Sequence, residues 1–125
     1  MPDKHTHLKK ASHNKNFYLS FNLYDTPFKD WLVAGIFYSA LHLIDAYLTT
    51  KGVPSLKHKS RLNWMEKLAE LSTTVYPDFR ELKDFREEAT YKCREFTPTE
   101  IEKEVIPLLD SIRKTISLLD PSIVI

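Results

Sequence analysis

Tyr38, His42, Asp45 and Thr49 follow one another at spacings of four, three and four. At helical pitch this stacks a phenol, an imidazole, a carboxylate and a hydroxyl along one stripe. An imidazole exchanges its proton near neutral pH, and a carboxylate beside it can orient the ring or hold its charge. Further on, His58 and Arg61 lie three apart on one face, and Arg86 is followed five residues later by Tyr91. Arg86 also interrupts an apolar series, Phe79, Leu82, Arg86, Ala89, Cys93 and Phe96, whose alternating spacings of three and four read as a heptad seam. A guanidinium cannot be neutralised and is costly to bury alone, so Arg86 requires a partner or a ligand. The candidate site is therefore Tyr38, His42, Asp45, His58, Arg61, Arg86 and Tyr91.

Three chemistries fit this set. The first is a buried polar network that fixes helix register, since buried charges must be paired. The second is an anion or nucleotide pocket, with Arg61 and Arg86 on phosphates and Tyr38 or Tyr91 stacked on a base. The third is catalysis, with histidine as acid or base and arginine stabilising developing negative charge. If catalytic groups are present, they are Arg86, His42 and His58. No metal site is expected. His42, Asp45 and His58 carry no recognised ligand spacing, and His5, His7 and His13 lack the i, i+4 geometry of a helical metal pair.

The elements that must position these residues are helices. Phe28 to Lys51 is apolar on nearly every side, so it reads as a central helix enclosed by others, with Val33, Ile36, Ala40, Leu43 and Tyr47 along its back. Asp25 or Thr26 is the expected N-cap with Pro27 near the first helical position; Gly52 supplies a left-handed cap, and Pro54 prevents continuation. A first helix is expected over His5–Leu23, with Leu8, Ala11, Tyr18 and Phe21 on its apolar stripe and a basic first half of Lys4, Lys9, Lys10 and Lys15. That half is either a solvated face or a phosphate-contacting patch. The short loop Val53–Leu56 sets a third helix, Lys57–Thr74, antiparallel to the central one. Its inner face is Leu62, Met65, Leu68, Ala69 and Ser72, and a turn centred near Pro54 brings Arg61 within reach of Asp45. Arg86 could join that pair.

Pro77 is expected to break the chain before a fourth helix over Asp78–Glu95. Thr97, Pro98 and Glu100 form a capping box that opens a fifth helix ending at Leu119, with Ile101, Val105, Leu108, Ile112 and Leu119 inward. Pro107 lies inside it and should disturb the preceding turn. The apolar tail, residues 120–125, is left to pack on the body or on a neighbour.

Composition narrows the class. With 125 residues the chain is one all-α domain, residues 1–125, and its net charge of +1 argues against a general nucleic-acid-coating protein. The single cysteine, Cys93, excludes an internal disulfide. No apolar run long enough to span a bilayer and no signal-peptide core are read, so a cytoplasmic location without membrane attachment is expected. Trp31, Tyr47, Trp64, Phe96 and the tail offer much apolar surface, which suggests a homodimer.

The runs FKDWLVAGIFYSALHLIDAYL, HKSR at 58–61 and FRELKDFREEATY at 79–91 resemble the HEPN superfamily, in particular its small stand-alone prokaryotic members. The combined pattern W-x6-Y-x3-H-x2-D-A, H-x2-R and R-x4-Y runs from Trp31 to Tyr91, and the likeness as a whole spans about Leu8 to Ile116. The resemblance implies a four- or five-helix up-and-down bundle, often dimeric, without a cofactor. It implies either a partner of a minimal nucleotidyltransferase in a toxin–antitoxin or defence module, or a metal-independent ribonuclease. The ribonuclease members carry an arginine followed four to six residues later by histidine. Arg86 matches the arginine and Glu87 the polar residue after it, but Tyr91 stands where the histidine would. Tyrosine titrates near pH 10 and is a poor base at neutrality. Binding of nucleotide, RNA or a protein partner without catalysis is the preferred expectation. A divergent ribonuclease toxin, or an adaptor or antitoxin partner of a nucleotidyltransferase, are the alternatives.

Overall fold

The computed structural model describes residues 3–53 and 57–125, and every regular element among them is helical. The elements are α1 (Lys4–Leu19), α2 (Lys29–Thr50), α3 (His58–Lys67), a single turn α4 (Ala69–Ser72), α5 (Val75–Tyr91), α6 (Pro98–Glu100), a π-helical turn (Ile101–Val105) and α7 (Ile106–Leu119). Pro54 and the rest of the 54–56 loop, with the side chain of His58, lie outside the described residues.

The 22-residue α2 is the axis of an all-α bundle and packs against α1, α5 and α7. Its expected back, Val33, Ile36, Ala40, Leu43 and Tyr47, is buried throughout. Phe37 stacks on Phe79 of α5 with ring centroids 5.2 Å apart. By length and composition alone α2 would pass as a membrane span, contrary to the expectation that no stretch would. The bundle buries 83 % of that apolar window, so its hydrophobic surface is already covered by protein.

Helix ends account for most departures from expectation. α1 opens on Asp3, whose carboxylate accepts the Thr6 amide at 2.8 Å, and closes at Leu19 rather than Leu23. Past it, Asn22 Oδ1 accepts the Tyr24 amide and Asn22 Nδ2 donates to Asp25, a local turn that competes with further helix. α2 starts at Lys29, two residues beyond Pro27. Thr26 accepts the Phe28 amide and shapes the approach, but no side chain caps the helix itself. At its far end Gly52 has φ +77°, with Gly52 N–H bonded to Thr49 O and Val53 N–H to Leu48 O. That pair of bonds is the Schellman arrangement which glycine was expected to supply.

The expected third helix is broken at Leu68, which adopts extended backbone (φ −81°, ψ 114°). The break turns Leu71 inward with Met65 and leaves Ala69 exposed. α3 packs along α4 and α5 and meets α2 through Arg61 rather than lying along it. Pro77 does not separate elements. It sits in the first turn of α5, where its missing N–H costs nothing. The seam on α5 stops at Ala89, because Lys92 ends the helix and Cys93 turns outward with φ +55°. Phe96 is nevertheless buried, edge-on to Phe85. The Thr97–Glu100 capping box forms with both bonds. Pro107 is accommodated by the π-helical turn immediately before it, and the inward face then runs Ile101, Val105, Leu109, Ile112, Ile116. Leu108 is only partly covered, and Leu119 is exposed. The tail packs on the body: Ile123 is buried, Ser117 donates to its carbonyl, and Asp120 holds Lys4 at 3.0 Å.

Candidate functional site

The stripe on α2 forms, and three of its four members go to two clusters. The lower one centres on Asp45, 2 % exposed, and Arg61, 4 % exposed. Arg61 donates from Nε to Oδ1 at 2.6 Å and from Nη2 to Oδ2 at 2.8 Å, a bidentate fork that fixes both side chains. This is the pair expected from the hairpin register. Thr49 turns its hydroxyl back to the Asp45 carbonyl and takes no part.

One helical turn from Asp45, His42 meets a residue that sequence reasoning set aside. The Nδ1 atoms of His42 and His7 are 3.1 Å apart, with ring centroids at 5.4 Å. His7 lies on α1 in the stripe that faces α2, one position off the expected Leu8 line: His7, Ala11 and Tyr18 are the buried residues of that helix. Close approach of the two helices brings the rings together. Gly35 faces Phe17 and Tyr18 so closely that a Cβ there would meet them at 3.0 and 3.2 Å, and Ser39 donates to the Ala11 carbonyl. Burial pushes the His42 imidazole down to about 4, a larger effect than the Asp45 carboxylate pulling it up. The ring is therefore neutral at pH 7. The histidine pair floors a groove of about 530 Å³ whose other walls include Thr6, Lys9, Lys10 and His13.

The upper cluster holds Arg86, Tyr38 and Tyr91. Arg86 does not join Asp45 and Arg61. α5 crosses α2 nearer its start, and the guanidinium carbon lies 4.8 Å from the Phe37 ring centroid and 5.8 Å from those of Tyr38 and Tyr91. The expected burial is half met: the residue is partly covered, its Nε is enclosed without a hydrogen-bond partner, and Nη1 reaches Tyr38 Oη at 3.5 Å. Among the described residues no carboxylate pairs with it. Two tyrosines thus flank a cation that has no carboxylate partner among the described residues, and they stay accessible, Tyr38 at 36 % and Tyr91 at 74 % exposure. Arg94, three residues past the end of α5, is spent on Glu88 and on Glu100 at 2.6 Å.

No family model, curated protein or solved structure matches the chain.

Proposed function

We propose that the chain is a HEPN-like helical bundle, dimeric and cytoplasmic, that binds a nucleotide or RNA segment at Arg86, Tyr38 and Tyr91 without cleaving it. The observation that carries this reading is a guanidinium with no acidic partner among the described residues, seated between two accessible tyrosine rings. A phosphate satisfies guanidinium donors two at a time, and a base stacks on a phenol face irrespective of its sequence. The site offers both at once. The non-catalytic part of the reading is supported by Tyr91: the residue five past Arg86 is a phenol, a poor base for a ribose hydroxyl at neutral pH. In a toxin–antitoxin or defence setting, such a bundle would sequester its ligand or present it to a nucleotidyltransferase partner.

Titrating labelled nucleoside triphosphates and short RNAs against the wild type and Arg86→Ala tests the reading. Saturable binding to the wild type that is lost in the variant is expected, with the RNA recovered intact. Equal binding in both, or none in either, refutes the site. Cleaved RNA refutes the non-catalytic assignment.

A further inference from the structure

We propose that His7, His42 and Asp45 form a binding site for one divalent cation of the zinc type, open to the lysine-lined groove between α1 and α2. Their ligand atoms all lie within 4.8 Å of one another, on two helices held by packing rather than on a loop. The spacing of the two imidazoles suits the metal, and the Asp45 carboxylate is close enough to move in as the third ligand. Imidazole nitrogens about 2.0–2.1 Å from a tetrahedral zinc ion lie about 3.3 Å from each other. The His7 and His42 Nδ1 atoms are already at 3.1 Å. In the metal-free chain that distance serves an N–H···N bond, with one Nδ1 protonated and the other accepting. Cation binding shifts that proton to Nε2 of the same ring, a change of tautomer with no net proton lost, and puts both Nδ1 lone pairs on the metal.

Asp45 supplies the third ligand without leaving Arg61. Each carboxylate oxygen has two lone-pair directions, and the fork uses one on each. Arg61 then holds the ligand carboxylate in place, as outer partners of metal ligands do. Nitrogen and oxygen donors without thiolate favour zinc, nickel or copper over softer ions and over magnesium. Three protein ligands leave a fourth position, and it faces the groove beside Lys9 and Lys10. The positive charge already present in Arg61 and Lys10 opposes a bare dication. The fourth ligand is therefore an anion, hydroxide or a carboxylate or phosphate oxygen, which the lysines also attract.

The test uses zinc chloride and cobalt chloride on the full chain after chelator treatment. Isothermal titration is expected to give one zinc per chain, and cobalt to give the intense visible bands of four-coordination. His7→Gln should weaken zinc affinity by about tenfold or more, while His13→Gln, on the rim, should leave it unchanged. Because a substitution could disturb the helix pair, nitrogen-15 spectra of the histidines in the unaltered chain give an independent reading: zinc must shift His7 and His42 and spare His5 and His13. Sub-stoichiometric binding, equal affinity in His7→Gln, or shifts confined to the exposed histidines would overturn the site.

Discussion

Arg61→Met leaves Asp45 as an uncompensated carboxylate in the core, and removing one member of such a pair typically costs about 3–5 kcal/mol. Urea unfolding should show that loss in the single variant, with most of it recovered when Asp45→Leu is added; two additive losses would mean the charges do not depend on each other. His42 gives a pH signature. Its native imidazole titrates at about 4 against 6.5 for the ordinary ring, so on acidification the unfolded chain takes up the proton first. Stability contributed by the neutral ring is complete above pH 6.5 and is lost as pH falls towards 4. The loss is on the order of 2 kcal/mol, discounted because the ring is partly open to water. The urea midpoint of metal-free protein should fall across that window and fall less in His42→Gln; parallel curves would show that other groups cause the decline. The Asp45–Arg61 pair was legible because the few residues between α2 and α3 in sequence keep Arg61 near the end of α2, although α3 does not lie along it. His7 was not, because its partner is 35 residues away in sequence and only the close passage of α1 over Gly35 joins them.

α1 and α2 approach so closely that a methyl group on Gly35 would sit 3.0 Å from the Phe17 ring and 3.2 Å from Tyr18 Cβ. The ring can swing, but the Tyr18 Cβ is fixed to the backbone. Gly35→Ala should therefore destabilise by about 1 kcal/mol, overpacking outweighing the gain in helix propensity. A rise in melting temperature would mean the helices part easily. Cys93 presents the opposite case, a side chain in left-handed backbone with its thiol exposed. Cys93→Gly should stabilise the end of α5 by roughly 0.5–1 kcal/mol, measured by thermal unfolding under reducing conditions; destabilisation would show that the residue contributes more than its backbone strain costs. Helix existence was readable from periodicity and from apolar runs, while helix ends were less so. Pro77 was read as a breaker because proline reads the same in a first turn and between helices, and the break at Leu68 has no proline or glycine to announce it. Pro107 did announce a disturbance, which a π-helical turn absorbs.

At the scale of the whole molecule, α2 looks like a membrane span in composition and a core helix in context, since three neighbouring helices cover it. Of the residues expected to form apolar surface, Tyr47 and Phe96 are buried, whereas Trp31 at 56 % exposure and Trp64 remain outside. The proposed dimer rests on those tryptophans, and light scattering at micromolar concentration should give twice the mass of one chain, falling to a single mass in Trp31→Glu or Trp64→Glu. A single-chain mass for the wild type would remove the dimer and leave the binding site intact. The Arg86–Tyr38–Tyr91 site decides what the protein binds, and fluorescence anisotropy of a labelled single-stranded RNA oligomer reads it out. Saturable binding to the wild type is expected, weakened by about tenfold or more in Arg86→Ala and in Tyr91→Ala. Affinity unchanged in both variants, or no binding by the wild type, would contradict it.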